Sequence, residues 1–506
     1  MTKLALTLPA PVEVSLLDVG MALAAFAPRL EGDGAVRVSG VRQDSRQVEQ
    51  GDLFAARPGE RTSGLDFARE ALGRGAVALL AAHGSGAGAL GVPLLEVRDV
   101  RGAIAHAAER VYGHPSHALS LIGITGTNGK TTTSVLLEHA LKALRARPAR
   151  LGTLGFSFEG EQTEGGLTTP EADDITRAIA SVVGVGGTHF VMEVSSHALS
   201  LARVDALRFR VAAFTNLSQD HLDFYPTMAD YGAAKARLFT DLSPEVSVIA
   251  CDGEFGVELA RRAKGRVITT GRSPDALVRP LSATVDARGV RAEVSTPAGT
   301  LLLESRLLGE HNLENLLLAL GVLLALDFDA EEAARALGSA PAVPGRLERC
   351  DDDGDDIRVL VDYAHTPDAL SRVLSAVGRI TPGELVCVFG CGGDRDPDKR
   401  RKMGAAVGQG AARAILTSDN PRSEDPAAIA AAVEVGLRGG SASYEVELDR
   451  ARAIERAVLG ARPGDSVLIA GKGHEPYQII GTERRAFDDR VEAKQALAHR
   501  RAGKAP

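Results

Sequence analysis

The stretch LSLIGITGTNGKTTTSVLLEHAL, residues 119 to 141, decides how this chain is read. An apolar run rich in β-branched residues, LSLIGIT, has the character of a buried strand, and TSVLLEHALKAL has helical spacing, so the glycines between them fall at a strand-to-helix turn. At such a turn the unpaired amides of the helix N-terminus, aided by the helix dipole, cradle anionic oxygens. The usual phosphate loop wants Gly, four residues, then Gly-Lys-Ser/Thr. Here Ile124 stands where the first glycine belongs, and glycines occupy 123, 126 and 129. The chemistry survives the altered spacing: Gly126 and Gly129 allow close backbone approach, Thr127 and Asn128 lie between them, and Lys130 supplies a point charge. Thr131 or Thr132 would offer a hydroxyl to a phosphate-bound magnesium ion.

With 506 residues, the chain should form about three domains, because single cores stop growing near 250–300 residues. Charged residues are 25% of the chain and the net charge is −8. No basic stripe appears, so no nucleic-acid partner is expected. No apolar run approaches the roughly 20 residues a bilayer requires, and the first 20 residues fall short of a secretory signal. A cytoplasmic protein without membrane insertion is expected. Cys251, Cys350, Cys387 and Cys391 lack paired metal-ligand spacing and read as reduced bystanders.

Pro- and Gly-marked joints at 112–121 and 339–348 divide the chain into N-terminal, central and C-terminal modules. In the last of these, IRVLVDYAH, LVCVFGCGGDRD, RAILTSDNPR and SVLIAGKGHE alternate with helical segments, as in a doubly wound parallel sheet. Ligands of such sheets bind at the carboxyl ends of the strands, so these polar ends are read as one site. The acidic cluster CDDDGDDIR, 350 to 358, reads as a solvated turn.

In the central module, THFVMEVSSHALSLARV places Glu193 at a strand end, followed by Ser195, Ser196 and His197. A carboxylate there suits magnesium and serves equally as a helix cap. VAAFTNLSQDHLDFY delivers Asp220, His221 and Asp223 to a similar strand end. Lys235 lies within the apolar helical stretch MADYGAAKARLF, where a lysine by itself reads as a snorkelling one. GEHNLENLLLALG opens a strongly apolar helix. Capping accounts for one of its two asparagines, and Asn312 with His311 suggests a base or ribose contact. Arg346 in PGRLE is placed either to reach a phosphate across a domain gap or simply as a linker arginine.

Taken in order, GITGTNGKTTT, TTPEAD, MEVSSHAL, FTNLSQDHLDFY, YGAAKARLF, GEHNLENLLLA, PGRLE, DYAHTPDAL, FGCGGDRDPDKR, DNPRSEDP and GKGHEPYQ resemble the Mur ligases of peptidoglycan synthesis, from about residue 40 to 480. The Thr-Gly-Thr-Asn-Gly-Lys-Thr loop is that family's own variant, which accounts for the altered spacing. The resemblance implies an α/β protein of three domains. These are an N-terminal uridine-nucleotide domain over 1–117, a central P-loop ATPase-type domain with a mostly parallel sheet over 118–342, and a C-terminal Rossmann-like, amino-acid-binding domain over 343–506. It implies a ligase that uses ATP and Mg2+ to phosphorylate a substrate carboxylate and lets an amine attack the acyl phosphate. The implied partners are UDP-MurNAc-L-Ala-D-Glu and meso-diaminopimelate, and a monomer is expected.

By the same matching, Gly126 to Thr132 with Asn312, Arg346 and Asp362 would hold ATP. Thr131, Glu193, His221 and Lys235, the last as a carbamate, would serve magnesium. The catalytic set implied is Lys130, Glu193, His221, Lys235 and Arg346. Asp44, Ser45 and Arg46 match the first uridine-nucleotide contacts, and Thr168, Thr169, Ser195 and Arg203 match positions that hold the muramoyl dipeptide. Leu201 and Leu65 depart from the family pattern, where Gln and His are frequent. Arg395, Asp419, Asn420, Pro421, Arg422, Gly471 and Glu475 match the diaminopimelate site. A second amino-acid head calls for a guanidinium against its distal carboxylate, which Arg422 can supply. A nucleotide switch is the rival from another class, and no Asn-Lys-x-Asp guanine signature occurs.

Overall fold

The computed structural model describes residues 13–59, 62–163, 165–394 and 396–503. In it the decisive stretch is a strand, Ser120–Thr125, that passes through a short loop into a helix, Lys130–Ala143. The strand is buried after its first residue and lies inside an eight-stranded sheet. Across that sheet the strands run Glu161–Gln162, Gly155–Phe158, Pro148–Gly152, His189–Glu193, Ser120–Thr125, Val211–Phe214, Val246–Ala250 and Arg266–Thr270. The last six are mutually parallel, and the two at the near edge are antiparallel additions.

Their connection order creates the site. From Ser120–Thr125 the chain goes outward to Pro148–Gly152, returns to lay His189–Glu193 beside the first strand, then crosses to Val211–Phe214 on its other side. Strand order therefore reverses around Ser120–Thr125, and a crevice opens at the carboxyl ends. The register sets Glu193 opposite Ile124 and Phe214 opposite Thr125, so three strand ends share one level.

Both faces of this sheet are covered by apolar stripes. Leu136, Leu137, Leu316, Leu317, Leu320 and Leu337 pack on one face, and Ile175, Ile179, Leu238, Phe239 and Leu259 on the other. Each such side chain contributes about 1.5–3 kcal/mol by burial. A three-stranded antiparallel sheet, Arg279–Asp286, Gly289–Thr296 and Gly299–Ser305, adds Val290, Val294 and Leu303 to the first of these cores.

The N-terminal domain is a five-stranded sheet in the order Arg29–Glu31, Leu94–Val97, Ala78–Ala82, Asp52–Ala55 and Gly40–Arg42, parallel except for its first pair. The helix Val100–Val111 closes it. The C-terminal domain is a six-stranded sheet ordered Glu348–Arg349, Arg358–Asp362, Ser466–Ala470, Leu385–Phe389, Arg413–Leu416 and Ser443–Val446. Five of its strands are parallel, with helices on both faces. Arg450 and Asp489, both fully buried, pair at 2.7 Å, and Arg450 also donates to the carbonyls of Ser418 and Ala470, fixing two strand ends.

The acidic cluster is a largely exposed turn before the strand Arg358–Asp362, as expected, and it also carries ion pairs the sequence did not announce. Asp352, Asp353 and Asp356 are exposed, Asp351 accepts from Arg349, and Asp355 and Asp356 hold Arg501 and Arg500 of the final helix, Asp489–Arg501. Those arginines are more than 140 residues distant in sequence, so no local pattern announces them. The cysteines Cys251, Cys350, Cys387 and Cys391 are all free. No helix among the described residues is long and apolar enough to cross a membrane. The first twelve residues, on which part of the localisation expectation rests, lie outside the described residues.

Candidate active site between the central and C-terminal domains

The loop after Ser120–Thr125 adopts a conformation that its glycines make possible. Gly126 has φ 144 and Gly129 φ 89. A Cβ would collide with the Thr215 hydroxyl at the first and the Asn315 side-chain oxygen at the second. The neighbouring strand end grips the loop: Thr127 N–H donates to the Asn216 carbonyl at 2.8 Å, Asn128 N–H to Asn216 Oδ1 at 3.0 Å, and the Thr215 hydroxyl to the Asn128 carbonyl at 2.6 Å. No side chain caps the helix that follows, which leaves its first amides directed at the crevice. Lys130 Nζ folds back onto the Gly126 and Thr127 carbonyls, both at 2.8 Å. Enclosure by protein lowers its pKa, while Glu193 and Asp220 oppose that shift.

Glu193 is fully buried. Its carboxylate accepts from the Thr131 hydroxyl at 3.0 Å and from the Thr153 amide and hydroxyl at 2.9 and 3.0 Å. It is thus a strand-end acid facing the phosphate loop and caps no helix. His221 has φ 54 and stands edge-on to His197, with ring centroids 4.8 Å apart. Burial lowers its pKa, against the pull of Asp220. Lys235, in the helix Met228–Thr240, is 1% exposed. It donates to the Gly126 carbonyl at 2.9 Å and lies over the Tyr231 ring at 4.3 Å. Burial first and Lys130 second hold its amine well below the usual lysine range. A snorkelling lysine would keep its ammonium in water; this one points inward.

Across the crevice, the C-terminal strands end in the same space. Thr131, Glu193, His221, Arg346, Asp362, Asn420, Arg422, Gly471 and Glu475 all line one cavity of about 620 Å³. Arg346 crosses the gap: its guanidinium lies 4.4 Å from the Tyr363 ring centroid and reaches the Thr131 hydroxyl at 3.4 Å. Asp362 accepts from the amides of Leu347 and Ala364, both at 2.7 Å, and burial raises its pKa. Arg422, at φ 52, donates to the Gly393 carbonyl at 2.6 Å. Asn420 donates to Glu475 at 3.0 Å. Asp419 also lines the cavity, and Pro421 carries the chain into Arg422. Arg395 lies outside the described residues.

The muramoyl-substrate set divides. Thr168 lines the cavity. Thr169 donates to the Glu193 carbonyl at 2.9 Å, takes the Ser195 amide at 2.9 Å, and its own carbonyl accepts from Arg203 at 2.9 Å. These residues therefore form one chain of contacts leading away from Glu193. Ser45 sits further out, in the N-terminal domain, donating to Glu70 at 2.9 Å, and Asp44 and Arg46 pair with each other. The two domains meet through Gln43 donating to Asp173 at 2.6 Å, Arg42 with Asp174 at 3.3 Å and Arg57 with Glu171 at 3.2 Å.

On the helix Glu310–Ala325, His311, Glu314 and Asn315 line the cavity. Asn312 is 2% exposed and turned toward the helix's own start, donating to the Leu308 carbonyl at 2.8 Å while accepting from Asn315. The N-cap is Gly309, without a side-chain cap, so capping accounts for neither asparagine. The spacing of the cavity-lining residues, i, i+3 and i+4, was the available signal.

Lys472 was not singled out from sequence. Fully buried, it donates to Asn420 Oδ1 at 3.0 Å and lies 3.6 Å from Asp419 and 3.5 Å from Glu475. Removing its charge strands two carboxylates, so Lys472→Met is expected to destabilise the C-terminal domain by about 3 kcal/mol. Urea unfolding followed by a C-terminal probe measures this; an unchanged midpoint would remove Lys472 as the anchor of Asn420 and Glu475.

Glu193 and Thr131 are the donors expected of a magnesium site: hard oxygens beside a phosphate loop. Glu193 is already in contact with Thr131 and has no cationic partner within ion-pair distance among the described residues, an arrangement that suits a divalent cation.

Three family models match the chain: "Mur ligase family, catalytic domain" over 37–112, "Mur ligase middle domain" over 124–323, and "Mur ligase, glutamate ligase domain" over 345–473. A UDP-N-acetylmuramoyl-L-alanyl-D-glutamate–2,6-diaminopimelate ligase from Gloeobacter violaceus is 46% identical over 92% of this chain and 95% of its own. A ligase of the same name from Streptomyces coelicolor is 43% identical over 97% and 98%. A solved structure of a ligase of that name superposes with TM-score 0.69 at 32% identity, covering 97% of this chain and 100% of the other. The fold alone extends to MurF from Acinetobacter baumannii, at 18% identity and TM-score 0.67 over 92% and 96%. With these likenesses running through the five-, eight- and six-stranded sheets and the residues that line the cavity, the chain belongs to the Mur ligase family.

Proposed function

We propose that the protein is an ATP-dependent amide ligase that joins meso-diaminopimelate to the D-Glu side-chain carboxylate of UDP-MurNAc-L-Ala-D-Glu, in peptidoglycan precursor synthesis. The observation that carries this reading is the single cavity in which Lys130 and Thr131 of the phosphate loop face Asn420, Arg422 and Glu475 of the C-terminal strand ends. A nucleotide and an amino acid bound at these two walls would meet at Glu193, from which the Thr169, Ser195 and Arg203 contacts lead toward the N-terminal domain. The relatives' names support the choice of substrates. The domain boundaries 1–117, 118–342 and 343–506 belong to the same proposal, supported by the separate five-, eight- and six-stranded sheets they enclose.

The helix N-terminus and Lys130 hold the terminal phosphates of ATP, and Arg346 neutralises charge from the opposite wall. A glutamyl carboxylate oxygen attacks the γ-phosphorus and the bond to ADP breaks, leaving an acyl phosphate. The amine of diaminopimelate then attacks the acyl carbon, loses a proton and expels phosphate. Magnesium, held by Thr131, Glu193, His221 and Lys235 as a carbamate, would neutralise phosphate charge. The low pKa of Lys235 favours the neutral amine, whose lone pair adds to carbon dioxide with release of a proton, turning a buried amine into an anionic oxygen donor. Arg422 and Glu475 would pair with the distal carboxylate and ammonium of diaminopimelate.

The test is ligation by purified protein given UDP-MurNAc-L-Ala-D-Glu, ATP and Mg2+, with meso-diaminopimelate, L-lysine and L-ornithine compared. Product with diaminopimelate and phosphate release that requires both substrates are expected; phosphate release without them would overturn the reading in favour of a nucleotide switch. Arg422→Ala is expected to raise KM for diaminopimelate about 100-fold, the scale of losing a charge-assisted pair of about 3 kcal/mol, and to leave KM for ATP unchanged. Equal losses for both substrates would take Arg422 out of the amino-acid site.

A further inference from the structure

At the joint between the N-terminal and central domains, the sequence GHPSH, 113 to 117, follows the helix Val100–Val111 and leads into the strand Ser120–Thr125. Among the described residues, Glu109, His114 and His117 form a group whose ligand atoms all lie within 4.8 Å of one another. They play no part in the cavity described above.

Glu109 sets this cluster apart from a chance surface grouping. The residue is 2% exposed, and neither carboxylate oxygen has a hydrogen-bond partner. Ser116 lies beside it, its hydroxyl accepting from the Arg208 amide at 3.1 Å, and the Ser116 hydroxyl and amide only partly offset the burial of the carboxylate. An unpartnered buried carboxylate is costly, and burial pushes Glu109 up to about 7. It faces His114, whose Nδ1 lies 3.8 Å from Oε2, and the His114 and His117 ring centroids are 5.6 Å apart. Arg110, the next residue in the helix, lies 4.0 Å from Asp18 on the first helix.

We propose that Glu109, His114 and His117 form a binding site for a zinc-class divalent cation that pins the end of the N-terminal domain's closing helix to the segment leading out of that domain. Two imidazoles and one carboxylate are a ligand set suited to zinc and its first-row neighbours and poorly suited to magnesium, which prefers oxygen. Bonds of about 2.0–2.2 Å bring ligand atoms closer together than they stand here, and His114, whose side chain is half exposed, has freedom to swing inward. The solvent side supplies water for the remaining position. Glu109 belongs to the last turn of the N-terminal domain's closing helix, and His117 stands three residues before the central domain's first strand. A shared cation would therefore fix the path of the chain between the end of that helix and the approach to the strand.

The experiment uses full-length, tag-free protein stripped with a chelator and kept in excess Mg2+ so that oxygen-ligand sites are filled. Titration with Co2+, followed by displacement with Zn2+, is expected to show one saturable equivalent with the visible absorption of imidazole-bound cobalt. His114→Ala and His117→Ala, at positions that leave the core untouched, and Glu109→Gln should each weaken it by about tenfold or more. Absence of a saturable equivalent, or binding unchanged in both histidine variants, would overturn the site. So would loss of the signal in His221→Ala, which would assign the metal to the phosphate-loop cavity.

Discussion

Lys235→Ala is expected to lower kcat for ligation by about 1000-fold, on the scale of removing a preorganised charged group from a closed site. The side chain is enclosed, donates to the Gly126 carbonyl and rests on Tyr231, so its loss empties a space directly beneath the phosphate loop. If the working form is a carbamate, the missing group is a small anionic carboxylate. Acetate or formate should then restore part of the rate in Lys235→Ala and none in Lys130→Ala. A residual rate within tenfold of the wild type would remove Lys235 from the mechanism, and absence of rescue would remove the carbamate.

Lys130→Ala is expected to weaken ATP binding by about 100-fold or more, or roughly 3 kcal/mol. Lys130 is held over two loop carbonyls, which keeps its ammonium at the mouth of the helix N-terminus before any nucleotide arrives. Little side-chain ordering is left to occur on binding, so the loss appears mainly in affinity. Calorimetry with ADP or a non-hydrolysable ATP analogue measures it. Unchanged affinity would mean that the helix amides alone hold the phosphates and that the loop has another use.

What the sequence made legible followed from the range of each interaction. The phosphate loop is specified within about a dozen residues, so its strand, glycines and lysine could be read together. The C-terminal strand ends could be grouped because a doubly wound sheet brings the carboxyl ends of parallel strands to one edge. The antiparallel sheet from Arg279 to Ser305 is not legible: its second and third strands carry only an inside-outside alternation, its first lacks even that, and no chemistry marks them. Nothing in the local sequence marks Lys472, because Asp419 and Asn420, more than 50 residues away, are what make it an anchor. Asn312 and Asn315 were indistinguishable by type, and only the helical angle between them decides which one faces the cavity.

The seam between the central and C-terminal domains is fastened near the cavity by Arg372 with Glu314 at 3.4 Å, Arg379 with Glu310 at 3.2 Å and Asn128 with Asp368 at 3.4 Å. Such solvent-facing pairs are worth no more than about 1 kcal/mol each, less than a single well-bound phosphate contributes. The fastening is therefore weaker than the cargo: reactants bridging the two walls would set the spacing of those walls more firmly than the protein does alone, and raised ionic strength should loosen the unloaded enzyme well before the loaded one.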